Sequence, residues 1–174
     1  TTLCVLQACR TLAAAVDVFA NEIVRRDQVA ESVHDWNVLQ AVLRKGSASI
    51  GVTLFALQCV GMSMAVVMAL ELVHGAYDLC DVLSTLLVFT SLTQTLWHAA
   101  AVTDKCIRVP PLINSLSFGG TKSLDSERQA LVDYIMSSAA GFYVCEVRIT
   151  SDMALKYTYL IAAAIFALVT RLLL

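Results

Sequence analysis

Charge is scarce in this sequence. Only 15% of its 174 residues are Asp, Glu, Lys or Arg, while 58% are hydrophobic and the mean hydropathy is +0.73. That balance excludes an ordinary soluble domain and favours a polytopic membrane protein. No broad basic face exists either: the net charge is -2, and the Arg25-Arg26 doublet sits among Glu22, Asp27 and Glu31. Nucleic acid is therefore not expected as a partner. The six cysteines (Cys4, Cys9, Cys59, Cys80, Cys106, Cys145) form no CxxC pair, and His34, His74 and His98 are scattered. This spacing excludes a metal site and favours free thiols over a disulfide framework. There is no GxSxG, no glycine-rich phosphate loop and no HExxH, so neither an enzyme nor a cofactor is expected. The chain opens on Thr1 without a basic-then-apolar leader, and the expectation is a piece of a longer protein.

What the sequence has in quantity is apolar runs of membrane length. Residues 50–70 carry no charge, and at about 1.5 Å per residue they match a hydrocarbon core of roughly 30 Å. Residues 82–102 repeat the pattern with His98 as the one titratable interruption, and 155–174 do so with Lys156 and Arg171 near the ends. Long basic side chains there can reach the headgroups. The stretch 1–20 is apolar with Arg10 and Asp17 on one face, and is read as the end of a further span. Between, 21–45 turns polar, with Val29, Val33, Trp36, Leu39 and Leu43 forming the stripe of an amphipathic helix.

The expected fold is thus an all-α, polytopic transmembrane helical bundle. Its segments run in order: span end 1–20, cytoplasmic amphipathic helix 21–45, span 46–77, span with cytoplasmic extension 82–109, loop 110–125, short cytoplasmic helix 126–138, turn 139–150 and final span 151–174. Pro110-Pro111 should end the second extension, followed by a Gly119-Gly120 turn. Ser126 and Gln129 have capping-box spacing for the short helix, and Ser151 or Thr150 can cap the last one. The stretch 139–150 reads as a turn with brief extended structure.

Lys and Arg placement orients the spans. Arg25, Arg26, Arg44 and Lys45 precede the first strong span; the 71–81 connection holds no Lys or Arg; Lys105, Arg108, Lys122, Arg128, Arg148 and Lys156 follow. The middle connection should face out and the C-terminus emerge outside, with Arg171 alone opposing.

The segment "SSAAGFYVCEVRITS" followed by "ALKYTYLIAAAIF" resembles the C-terminal signature of arthropod gustatory receptors and their odorant-receptor relatives. Ala140, Gly141 and Phe142 match the small-residue and Gly-Phe turn. Thr158, Tyr159, Leu160, Ile161 and Phe166 match the final pattern, and Ile165 stands where that pattern usually has glutamine. The resemblance extends loosely from Trp36 onward, with its specific motifs in the last quarter. Rhodopsin-like signatures (Asp-Arg-Tyr, Asn-Pro-x-x-Tyr) are lacking.

The resemblance implies a seven-helix subunit of a tetrameric ligand-gated cation channel, homo- or heteromeric, in the plasma membrane. The last helix would line the pore and a cytoplasmic anchor would hold the tetramer. It implies a hydrophobic gate at Ala162 and Phe166 on a stripe that also carries Thr158 and Val169; the same stripe would also suit lipid or close helix packing. Thr90, Thr93 and Gln94 are the candidates to line a small-molecule pocket, though Gln94 could equally make an interhelical hydrogen bond. Gln58, also inside a span, must face protein or water. Trp97 and His98 fit an aromatic belt, and Glu71, Asp78 and Asp81 fit either a cation-concentrating mouth or a solvated loop. A transporter or scaffold segment, or a G-protein-coupled receptor, remains the alternative.

Overall fold

In the computed structural model, residues 2–25, 29–74, 79–115 and 122–173 are described. The described residues are all-α apart from one small hairpin. Its elements run α1 (Thr2–Arg25), α2 (Val29–His74), α3 (Leu79–Ser115), α4 (Lys122–Ser137), β1 (Tyr143–Val144), β2 (Val147–Arg148) and α5 (Ser151–Leu173). Helix α3 is the hub, packing against α1, α2, α4 and α5.

The core explains why. On α1, Val5, Cys9, Leu12, Val16, Phe19 and Ile23 are buried, alternating steps of four and three, the spacing that keeps one helical seam facing a partner. Arg10 and Asp17 lie off that seam and are exposed; Asp17 pairs with Lys105 of α3. Trp36, Leu39 and Leu43 of α2 are buried, as are Ala99, Val102, Cys106, Val109 and Ile113 of α3 and Leu131, Val132 and Ile135 of α4. The amphipathic stripe expected at 29–43 thus has its packing partners within the chain from Val33 on; the side chain of Val29 lies outside the described residues. Trp36 is 1% exposed and stacks at a tilt on Phe19, ring centroids 5.1 Å apart. Its indole N–H donates to Ser138 Oγ (2.9 Å), while Gln40 Nε2 donates to the Ser138 carbonyl (2.8 Å). These bonds pin the end of α4 to α2.

Several boundaries differ from the sequence expectation. The amphipathic and apolar parts of α2 form one helix of 46 residues rather than separate units, because nothing in 43–51 breaks the backbone ladder. Pro110 and Pro111 do not end α3, which continues to Ser115. Each proline removes a helical hydrogen bond, but Val109 and Ile113 on either side are buried in the core, and that burial holds the turn. Ser126 lies inside α4, which begins at Lys122, so the capping-box position does not start the helix. The Gly119-Gly120 turn lies outside the described residues.

The expected extended stretch is an antiparallel pair with Tyr143 opposite Arg148 and Val144 opposite Val147. Its two loop residues, Cys145 and Glu146, both have positive φ (48° and 65°), the geometry of a type I′ turn without the usual glycine. Thr150 caps α5: its Oγ1 accepts from the Met153 N–H (3.5 Å) and its carbonyl from Ala154 N–H (3.0 Å).

Among the described residues, two segments are long and apolar enough to cross a membrane, Thr2–Ile23 and Glu31–Glu71. The other two expected spans lie on α3 and α5.

Candidate functional site

Thr90, Thr93 and Gln94 are brought together on one open cavity of about 350 Å³, with Phe89, Trp97 and His98 completing the α3 wall and Ile161 and Ile165 of α5 forming the other. The spacing 90, 93, 94, 97, 98 is one helical face. Thr90 and Thr93 donate their hydroxyl protons to the Leu86 and Phe89 carbonyls, each at 2.8 Å. Their oxygens therefore present acceptor lone pairs alone. At one end of the cavity the Trp97 indole donates to Thr158 Oγ1 (3.1 Å), and Thr158 donates in turn to the Ala154 carbonyl (2.8 Å). This chain of bonds ties α3 to the first half of α5. Ile165, at the position where the resembled pattern has glutamine, supplies an apolar wall.

The four stripe residues divide. Each step of four along a helix drifts by about 40°, so Thr158 turns toward α3 while Ala162 and Phe166 turn outward; Phe166 is 74% exposed. The side chain of Val169 lies outside the described residues. Of the outer acidic residues, Glu71 is half-buried and Asp81 exposed, and Asp78 lies outside the described residues.

The Gly141-Phe142 motif has a structural task. A Cβ on Gly141 would stand 2.8 Å from Arg148 Nε and 3.1 Å from two atoms of Thr103, so a side chain here would force Arg148 and Thr103 to shift where the turn meets α3. At this contact the Phe142 N–H donates to Thr103 Oγ1 (2.9 Å), and the Phe142 ring is fully buried. Arg148 donates to the Ala140 carbonyl (2.5 Å), closing the turn. Ser151 donates to Asp104, seating the start of α5 on α3. Tyr159, the other motif residue, is exposed. Behind the turn, burial pushes the Cys106 thiol up to about 11 despite the opposing Arg148 charge, which makes it inert at neutral pH. All six cysteines are free thiols.

Sequence reasoning found three of the α3 wall residues because polar side chains inside an apolar run are conspicuous. It named Trp97 and His98 for a different role, although their spacing from Gln94 puts them on the same face. Ile161 and Ile165 stood out only through the resemblance and carried no signal for a cavity, since an isoleucine on an alanine-rich helix looks the same whether it faces a cavity or lipid. Comparisons with family profiles, with curated proteins and with solved structures found no match.

Proposed function

We propose that this chain is the C-terminal part of a ligand-gated, non-selective cation channel subunit of the gustatory-receptor kind, detecting small molecules at the plasma membrane. It is a multi-pass bundle with an extracellular C-terminus, working as a homo- or hetero-tetramer. One observation carries the reading: α5 is shared between a small-molecule-sized cavity on its α3 side and an outward face bearing Ala162 and Phe166. In a tetramer that outward face would meet its copies about the central axis, and the Phe166 rings would close a dry constriction that stops ions by dewetting.

The α3–α5 cavity supplies the coupling. A molecule in it touches Ile161 and Ile165, so it binds one position of α5 better than another. A tenfold difference in affinity shifts the closed-to-open balance by about 1.4 kcal/mol. The Trp97–Thr158 bond holds α5 in the closed position, and the core beneath it stays fixed while the outer part of α5 moves.

Recording currents from the full-length protein in a heterologous membrane tests this. Ala162→Trp should reduce ligand-evoked current at least tenfold, and Phe166→Ala should raise current without ligand. Unchanged currents in both variants, or none from the wild type under any stimulus, would favour a transporter or scaffold. A C-terminal tag reached by antibody only after permeabilisation would overturn the orientation and favour a G-protein-coupled receptor.

A further inference from the structure

A chamber of about 710 Å³ lies where α2, α3, α4 and the hairpin meet. Its inner end is buried, at Trp36, Cys106, Pro110 and Ile135, and its mouth, at Ile107, Asn114 and Met136, is exposed. One lining residue is charged, Arg148. It belongs to the inner end: it is half-buried, it bonds to the buried Ala140, and its charge acts on the buried Cys106 thiol. The cavity between α2 and the hairpin tip does not include it. Among the described residues no carboxylate pairs with Arg148. Its three nitrogens differ. Nη2 donates to the Ala140 carbonyl (2.5 Å), and Nε is enclosed by protein without a partner. Nη1 makes no hydrogen bond among the described residues and is not enclosed, so it is the nitrogen left open to an occupant.

Any molecule whose body fills the inner end strips water from that guanidinium. A neutral occupant returns little, and a desolvated charge without a partner is costly. A metal ion or an ammonium fits worse, because no Asp or Glu lines the chamber and the arginine repels it. A phosphate monoester brings close to two negative charges to a single cation, and the second would lie unpaired against apolar walls. A carboxylate brings one, and its hydrogen bonds with a guanidinium are charge-assisted. The rest of the wall suits hydrocarbon. The Trp36 indole proton is already taken by Ser138 and the Ser115 hydroxyl proton by the Leu112 carbonyl. An apolar cavity of about 150 Å³ takes benzene, so about 710 Å³ has room for fused rings or an aliphatic chain.

We propose that the α2–α3–α4 chamber is a binding site for an organic monocarboxylate with an apolar body, the carboxylate accepting from Arg148 Nη1 and the body lying against Trp36, Pro110 and Ile135. Arg148 closes the turn ahead of α5, and Trp36 pins the end of α4 to α2, so an occupant joins three helices to the segment that leads into the last one. A soluble acid and a membrane fatty acid present the same group to this site. The site stands independently of the receptor reading.

The test uses the full-length protein in nanodiscs of zwitterionic lipid, with naphthylacetate as probe and naphthylacetamide, a neutral molecule of nearly the same shape, as control; uptake by empty discs is subtracted. The acetate should bind roughly tenfold tighter, the lower end of the range for a charge-assisted hydrogen bond because Arg148 is only half-buried. Arg148→Gln should bring the two probes level and leave amide binding unchanged, which reports an intact chamber. If that variant does not fold, Met136→Glu at the exposed mouth decides, since the added carboxylate should weaken the acetate about fivefold by repulsion and spare the amide. Equal affinity for both probes in the wild type, a preference that survives Arg148→Gln, or an acetate indifferent to Met136→Glu would overturn the proposal. Competition then names the source: displacement at lower concentration by dodecanoate marks a fatty acid, and by phenylbutyrate a soluble acid, while displacement by neither would remove the site.

Discussion

The two ends of this molecule both carry large apolar side chains and cover them differently. At the foot, α1, the first half of α2, the second half of α3, α4 and the hairpin bury Trp36, Leu43, Val102, Ile113 and Phe142 almost completely. At the other end, Phe55, Val60, Val66 and Val67 of α2, Leu83 and Leu87 of α3, and Leu160 and Phe166 of α5 are exposed. One seam does close there, where α2 and α3 cross at Gly61: a Cβ on it would stand 2.2 Å from the tip of Leu92. The difference teaches that hydropathy reports how apolar a stretch is and not what covers it. The foot is held by its own chain, with cross-links such as Trp36 to Ser138 and Phe142 to Thr103. The other end leaves these apolar side chains open, and that is the surface the receptor reading gives to lipid and to neighbouring subunits.

The sharpest way to break this contrast is to make the same deletion at both ends. Phe142→Ala should cost about 3–5 kcal/mol, the range for removing a buried aromatic ring, whereas Phe55→Ala should cost well under 1 kcal/mol. Denaturation in mild detergent reads both, and equal losses would mean that the outer face is covered by something other than detergent or lipid. Next in size, Val66→Arg should raise the free energy of membrane insertion by about 2.5–3.5 kcal/mol if α2 crosses a bilayer there. A translocation assay reads it, and a change below 0.5 kcal/mol, the ordinary value for a water-facing position, would remove the lipid. The smallest effect should come from the Lys105–Asp17 pair of α3 and α1, whose side chains are 35% and 54% exposed. Solvent screens such a pair, so Asp17→Asn should change stability by less than about 1 kcal/mol; a larger loss would mean that the foot relies on charge as well as packing.

Much of the foot was legible in advance, because its signals are local. The stripe at Val33, Trp36, Leu39 and Leu43 marks one buried helical face, and the brief extended stretch and Thr150 cap follow from residue types at fixed offsets. The Pro110-Pro111 boundary was misread because a local breaker competes with burial of Val109 and Ile113, and burial is not local. The α3 wall of the cavity was half legible: Thr90, Thr93 and Gln94 stand out in an apolar run. The pairing of Gln58 with Tyr157, 99 positions apart, could not be read, because Gln58 stands out in its helix only as a residue in need of a polar neighbour, and nothing local says which distant side chain supplies it.

Helix α2 runs its 46 residues without a proline, roughly 69 Å at the usual rise. It is a lever more than twice the depth of a hydrocarbon core, with its fulcrum clamped in the foot. Tilting such a rod by one degree about Trp36 sweeps its far tip through roughly 1.0 Å, so a small rearrangement in the foot becomes a larger displacement at the opposite end.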